Sequence, residues 1–306
     1  MCYSIKAVRL LFCRVQLGGG GNVRIRRGTE TARARVEGRI RLAQIKSALK
    51  GFGERYSRHR FLFEELVKRD FKHKYKQMVL GMGWSVLNPL LQLLVLRLVF
   101  TQLFGRGRAF YSTYMFVGVL IFNFFSESTK SGMRSLVKNK GIINKVFVPK
   151  YLFLLSQNVS AVINFLLTLV VFLGLAAFEG VPFSPRFLLM IYPIVSIVML
   201  SIGVGMILSI MFVYFRDIEY LYSIFIMLLR FLSAIFYYTD NFSAGVRKLF
   251  MLNPLYDTIE YIRIVVINGQ IPSLGLHAIL VAYPAVVLLI GGYLYVKKNQ
   301  EFMYHL

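Results

Sequence analysis

Apolar residues fall in long blocks along this chain of 306 residues, and short polar segments separate the blocks. A bilayer core of about 30 Å needs about 20 helical residues to cross it. Six blocks can reach across such a core, although the second is short, and they predict six transmembrane helices. Their approximate limits are residues 84–104, 110–126, 151–178, 187–215, 218–238 and 276–296.

Residues 56–80 have a different pattern, in which apolar and basic positions lie on separate faces of a predicted helix. The apolar positions repeat every four residues, at Phe63, Val67, Phe71 and Tyr75, and Leu62 and Leu66 widen this face. The basic face carries Lys68, Lys72 and Lys76. Such a helix is typical of the membrane interface, with its cations toward lipid headgroups. A solvated helix that packs on a soluble partner is the alternative.

The loops differ in charge. One set of segments holds 29 of the 37 cations: the chain before the first block, residues 130–150, Arg216, and Lys297 with Lys298 at the end of the last block. The loops on the opposite side hold six. Cytoplasmic loops are enriched in Lys and Arg. The sequence therefore predicts that both termini and residues 130–150 are cytoplasmic.

This pattern divides the chain into four parts. Residues 1–55 form a basic tail whose composition predicts disorder. Residues 56–83 form the interfacial amphipathic helix, residues 84–298 form a six-span transmembrane domain, and residues 299–306 form a cytoplasmic tail.

The composition supports a membrane protein. Apolar residues make up 57% of the chain and charged residues 17%, against about 45–50% and 25% in soluble domains. The formal net charge of +23 is explained by an anionic membrane surface, and we expect no nucleic-acid partner. The two cysteines, Cys2 and Cys13, form no disulfide framework or metal-binding pattern.

Motifs for cofactor chemistry are missing from the sequence. No GxxxxGK[ST] phosphate loop occurs, so we expect no ATP hydrolysis by that route on this chain. Asp217 and Glu219 could hold a metal for sugar transfer, although a local ion pair beside Arg216 is the simpler interpretation. Arg97 and Arg230 lie inside predicted spans. Each could face a polar cavity for an anionic substrate or pair with a neighbouring helix.

Two segments outside the spans mix polar and apolar residues. Residues 130–150 combine cations with Leu136, Val137, Ile142 and Ile143, which could bind the inner leaflet or a groove on a soluble partner. On the opposite side, Tyr256 and nearby isoleucines predict a short amphipathic helix that enters the outer leaflet without spanning it.

Four sequence segments together resemble a known family. They are RDFKHKYKQMVLGMGWSVLNPLL at 69–91, NKGIINKVFVPKYLFLLS at 139–156, FRDIEY at 215–220 and LNPLYDTIEYIR at 252–263. In order, they resemble the permease subunits of ABC transporters that export teichoic acid, O-antigen and capsule. The first segment matches the family's pattern at Leu80, Gly81, Trp84, Pro89 and Leu90. The resemblance extends over about residues 56–300.

The resemblance implies an all-α membrane protein with six transmembrane helices, an N-terminal interfacial helix and short outer re-entrant helices before the last span. It implies a homodimer in the cytoplasmic (inner) membrane that pairs with two copies of a soluble ABC ATPase. ATP and Mg would bind that partner, and this chain would hold no cofactor. The substrate would be a lipid-linked polysaccharide or a polyol phosphate polymer.

The resemblance also implies roles for particular residues. The ATPase-coupling loop would comprise Arg134, Leu136, Val137, Lys140, Ile142, Ile143, Asn144 and Lys145, and Arg216 and Asp217 would form a cytoplasmic turn. Channel-lining candidates are Arg97, Phe225, Arg230, Phe231, Phe236, Tyr237 and Tyr238. The outer gate segment would include Asn253, Pro254, Tyr256, Asp257 and Glu260.

Two other functions fit parts of the pattern. A permease of a drug or lipid ABC exporter would have the same topology, but the basic amphipathic helix and the VPK sequence at 148–150 favour glycans. A membrane-embedded glycosyl- or acyltransferase would use Asp217 and Glu219, although the sequence offers it no further metal ligands.

Overall fold

The computed structural model describes residues 60–72, 74, 81, 83–103, 110–145, 148–239 and 242–298. The basic tail, the C-terminal tail and Tyr75 lie outside these residues. The elements considered below belong to one compact unit, Phe61–Leu306. Every regular element in the described part of this unit is a helix, which confirms the all-α class.

We number the helices in chain order. They are α1 (residues 61–72), α2 (Gly83–Leu103), α3 (Tyr111–Lys138), the single turn α4 (Lys140–Ile143), α5 (Tyr151–Phe178), α6 (Ile191–Tyr214), α7 (Ile218–Leu232), α8 (Ala244–Phe250), α9 (Pro254–Val266) and α10 (Leu274–Lys298). A 3₁₀ segment, Pro185–Met190, leads directly into α6.

Three of these helical segments are long and apolar enough to cross a bilayer: α5, the continuous run Pro185–Tyr214, and α10. They correspond to the third, fourth and sixth predicted spans. The helices α2, α3 and α7 occupy the positions of the other three.

The fifth predicted span is shorter in the structure than in the sequence prediction. It was expected to reach residue 238, but α7 ends at Leu232 after 15 residues, which is about 22 Å of helix. Ala234 has a φ of 45°, a left-handed conformation that breaks the helix and is uncommon for a residue with a Cβ. Hydrogen bonds from Tyr111 and Tyr114, described below, hold the segment after it in a non-helical conformation.

The second predicted span is longer than expected and forms the centre of the bundle. α3 continues for 28 residues to Lys138, and nearly every side chain in its first half is buried. A helix that is apolar on all sides belongs in a core. α3 packs mainly against α5 and α6, and α10 covers another side of α6.

Small residues on α6 allow its neighbours to approach closely. A Cβ on Gly291 of α10 would lie 2.7 Å from the carbonyl oxygen of Gly203, and one on Gly203 would lie 2.8 Å from the backbone nitrogen of Leu288. On another side of α6, Gly205 faces Gly132 of α3. Backbone contact through small residues is a common means of helix association in membranes.

The contact between α6 and α10 generates a prediction. Gly291→Ala places a methyl group against the Gly203 carbonyl, so we expect the free energy of unfolding to fall by about 1–3 kcal/mol, as in other overpacked sites. The matched control is Gly292→Ala, because a Cβ there meets nothing within 4 Å. Thermal unfolding in detergent measures the stability of both variants. Equal unfolding temperatures for Gly291→Ala and Gly292→Ala would contradict the close contact.

Candidate functional site

α1 packs its apolar side against the junction between α3 and α4. Leu66 is 3% exposed and lies in a cluster with Leu136, Ile143 and Phe153. The expected apolar positions Phe63, Val67 and Phe71 are only half-buried. The side of α1 that faces the bundle is therefore centred on Leu66 and on Asp70, one turn later.

Asp70 is the centre of a buried polar network that joins three helices. Arg69 donates to Asp70 Oδ1 at 2.7 Å and to Asn139 Oδ1 at 2.7 Å. Ser156 of α5 donates to Asp70 Oδ2 at 2.9 Å, and Asn139 donates to the Ser135 carbonyl at 2.7 Å. Asp70 thus ties α1 to α5, and Arg69, which Asp70 holds, ties α1 to Asn139 at the start of α4.

The predicted coupling loop separates into a buried and an exposed set. Leu136 and Ile143 are buried in the cluster with Leu66, and Val137 and Ile142 are half-buried. The exposed residues are Arg134, Lys140, Asn144 and Lys145. The apolar residues of this loop hold α4 to the bundle, and its exposed surface is cationic and amide-bearing.

The turn between α6 and α7 is also attached to α3. Glu219 forms an ion pair with Arg134, not with Arg216 as the sequence suggested. The Arg216 guanidinium lies over the Phe212 ring at 5.0 Å, and Asp217 is exposed. Among the residues that the structure describes, no group of three His, Cys, Asp or Glu side chains could hold a metal ion.

At the opposite end of α3, Arg263 of α9 is buried against α3. Its guanidinium lies 3.4 Å from the centre of the Tyr114 ring, and it donates to the carbonyls of Tyr114 and Ile235 at 3.3 and 3.1 Å. Cation–π contact and charged hydrogen bonds strengthen when the groups are shielded from water. Arg263 therefore links α3, α9 and the segment after α7.

Two tyrosines of α3 hold that segment by its backbone. Tyr111 donates to the Phe236 carbonyl at 2.8 Å and Tyr114 to the Tyr237 carbonyl at 3.0 Å. The Tyr238 ring stacks on Tyr114 with 4.1 Å between ring centres. The predicted channel residues Phe236 and Tyr238 are thus partly buried against Tyr111 and Tyr114. The ring of Tyr237, a third candidate, is partly buried against Phe250 and Tyr256.

The other channel candidates lie on α7, apart from that cluster. Phe225 and Phe231 are 52% and 60% exposed. Arg230 lies over the Phe122 ring at 4.9 Å and donates to Asn123 Oδ1 at 3.5 Å. It therefore pairs with the neighbouring helix α3. The side chain of Arg97 lies outside the described residues.

The residues of the predicted outer gate segment lie in α9 and at its N-cap. Asn253 caps α9 by accepting from the Leu255 amide at 3.0 Å, and Pro254 occupies its first turn; both are preferred residues there. Ile259 and Ile262 of α9 are buried within the bundle. α9 therefore packs against protein instead of presenting these side chains to lipid, as the amphipathic pattern suggested.

α9 also carries a buried acid. Asp257 is 2% exposed, and its Oδ2 has no hydrogen-bond partner among the described residues. Burial raises the pKa of the Asp257 carboxyl to about 7, and the negative charge of Glu260 adds to the effect. The Oε2 atom of Glu260 lies 3.9 Å from the Nη1 atom of Arg263.

Asp70, Asn139, Ser156 and Arg263 were not predicted as structural links. One signal for Asp70 was present, because it is an acid four residues after an apolar residue on a basic helix. No local pattern distinguishes Ser156 or Asn139 from other polar residues near helix ends.

Comparison with known proteins identifies relatives across most of the chain. The family model for ABC-2 type transporters matches residues 62–267. The chain is 27% identical over 248 residues to the O-antigen export system permease protein RfbA of Myxococcus xanthus, covering 80% of this chain and 95% of that protein. It is 29% identical over 214 residues to RfbA of Klebsiella pneumoniae, covering 68% and 82%. It is 24% identical over 249 residues to the polysialic acid transport protein KpsM of Escherichia coli, covering 78% and 94%.

The Asp70 network generates a second prediction. Asp70→Ala leaves Arg69 and Ser156 without their shared acceptor, so we expect a loss of stability on the order of 1–3 kcal/mol. Glu65→Ala is the matched control, because its ion pair with Lys68 is exposed. Thermal unfolding should separate the two variants, and an unchanged unfolding temperature for Asp70→Ala would show that the network does not stabilise α1.

Asp257 generates a third prediction. Because burial raises the pKa of the folded-state carboxyl, the unfolded chain ionises first, and the folded state is destabilised as pH rises from the unfolded pKa to the folded one. We therefore expect stability to fall between about pH 4 and about pH 7, by on the order of 1 kcal/mol for each pH unit, and to level off above that range. Asp257→Asn should flatten this dependence, whereas the exposed control Asp217→Asn should retain it. An unaltered pH dependence in Asp257→Asn would contradict the assignment.

Proposed function

This chain belongs to the ABC-2 type transporter family, and we propose that it is the permease of an exporter for a lipid-linked polysaccharide or polyol phosphate polymer. The family match over residues 62–267 carries the proposal. Relatives named for O-antigen export and polysialic acid transport align with most of the chain and favour a glycan substrate. A member of this family is a transport component that works with a partner ATPase.

The proposed setting is the cytoplasmic (inner) membrane, with six spans and both termini in the cytoplasm. Three apolar helices of spanning length support this topology, as do the helices at the other predicted positions. The concentration of cations before α2 and between α3 and α5 supports the orientation. α7 would cross the membrane together with the segment that follows it, whose backbone accepts hydrogen bonds from Tyr111 and Tyr114.

In this proposal the chain forms a homodimer with two copies of a soluble ABC ATPase, which binds ATP and Mg. The partner would contact α4 through the exposed side chains of Lys140, Asn144 and Lys145. The neighbouring Leu136 and Ile143 are buried, so a force on α4 would be transferred to the bundle without first deforming a flexible loop.

Two polar links would carry that force to other helices. The Asp70 network joins α4 to α1 and α5, so the interfacial helix would move with α4. The ion pair between Arg134 and Glu219 joins α3 to the turn that holds Arg216 and Asp217. α7 would therefore respond to the same motion.

The proposed translocation path lies between the two copies. Phe225 and Phe231 are large apolar side chains exposed on α7, and aromatic faces suit the apolar faces of sugar rings. The outer gate is assigned to residues 253–266, which Arg263 and Asn253 connect to the segment after α7. Opening would require movement of this connected unit.

Deletion of the gene in its own host tests the proposed function. We expect loss of surface glycan, accumulation of lipid-linked glycan inside the cell, and recovery of both by the intact gene. Glycan blotting of whole and permeabilised cells measures the two pools. Normal surface glycan together with new drug sensitivity would instead support a drug exporter.

The proposed docking surface generates a fourth prediction. Lys140→Glu combined with Lys145→Glu reverses two exposed charges near α4, and we expect recovery of the ATPase with the tagged permease to fall by about tenfold or more, because charge complementarity is lost. Lys297→Glu is the control, since it reverses an exposed lysine at the end of α10. Equal recovery of the ATPase with the wild type, the double variant and Lys297→Glu would exclude this surface.

A further inference from the structure

A cavity of about 500 Å³ lies between α2, α3 and α5. One part of its lining is aromatic, with Trp84, Phe116, Phe124 and Phe165. The other part is polar, with Asn88, Asn123, Glu127, Asn164, Thr168 and Lys74. Its volume is within the range of small-ligand sites in proteins, about 300–1,000 Å³.

Hydrogen bonds hold four polar side chains of the lining in place. Glu127 accepts from Lys74 at 2.5 Å and from Asn164 at 3.2 Å. The Asn123 amide donates to Gln92 at 3.2 Å, and its oxygen is the one that Arg230 approaches. Fixed amide and carboxylate groups of this kind are suited to a ligand with several hydroxyl groups.

The charges of the lining disfavour an ionic ligand. Lys74 and Glu127 neutralise each other, and the other polar groups of the lining are amides and one hydroxyl. A hydrocarbon chain suits only the aromatic part of the lining, because it has no polar group to contact the carboxylate and amides of the other part. A sugar ring suits both parts of the lining, since it has hydroxyl groups at its edge and an apolar face.

We propose that this cavity binds an uncharged, hydroxyl-rich sugar ring against Trp84, with Asn123, Glu127 and Asn164 as its polar contacts. The inference rests on the proposed function for the identity of the ring as part of the exported polymer. The headgroup of a membrane glycolipid offers the same chemistry, and the experiment distinguishes the two sources.

Trp84 provides the measurement, because it is the only tryptophan in the chain. The full chain is placed in phosphatidylcholine nanodiscs, and Trp84 fluorescence is followed during titration with oligosaccharide released by mild acid from the host's surface polysaccharide. A second arm uses nanodiscs that contain glucosyl diacylglycerol. A saturable change in the first arm assigns the site to the exported glycan, and a change in the second arm alone assigns it to a glycolipid.

Variants test whether the signal comes from the cavity. Asn123→Leu should raise the oligosaccharide concentration at half-saturation by about tenfold, as expected from the loss of one hydrogen-bonding group in the site. Gln270→Leu, which removes an exposed amide, should bind the oligosaccharide like the wild type. Thr168→Val is a nearly isosteric second variant in case Asn123→Leu does not fold. No change in either arm, or equal binding by wild type, Asn123→Leu and Thr168→Val, overturns the proposal.

The Trp84 titration and the gene deletion test separate claims, the sugar site and the exporter function. If the deletion strain lacks surface glycan but Trp84 does not respond, the site is wrong and the exporter assignment stands. If Trp84 responds to the glucosyl lipid while surface glycan is normal in the deletion strain, the sugar site stands and the exported substrate is wrong.

Discussion

The burial of the first half of α3 on all sides is the constraint on which the rest of the structure depends. A central helix can be surrounded in this way only if its neighbours approach closely and its polar groups find partners within the protein. Facing glycines at Gly132 and Gly205 provide the close approach to α6. Ser128 supplies one internal partner through its hydrogen bond to Asn158 of α5.

Because α3 is a long helix in a closely packed core, the contacts at its two ends are connected by a stiff element. One end holds α1 and α4 through the Asp70 network, and the other holds α9 and the segment after α7 through Arg263. A protein that is driven by a partner on one side of a membrane needs such a connection. The proposed mechanism therefore requires movement of helices as units, not deformation of loops.

Much of the helix order was predictable, because long apolar blocks and charge asymmetry are local properties of the sequence. The limits of α5 were predicted correctly, whereas the end of α7 was not, since it depends on Tyr111 and Tyr114, which lie more than one hundred positions earlier. The mixture of cations and apolar residues at 130–150 was visible in the sequence, but burial of Leu136 could not be inferred, because it depends on α1. The proposed sugar cavity combines residues from four separate segments and has no local signature.

The most direct test of the central claim is the distance between α1 and α4 in the assembled transporter. Spin labels at Lys68 and Lys140, in a background without Cys2 and Cys13, would report it by pulsed electron resonance with and without ATP. The account predicts one narrow distance distribution that ATP leaves unchanged and that broadens in Asp70→Ala. A distribution that is already broad, or that shifts with ATP while the Asp70 variant behaves like the wild type, would contradict it.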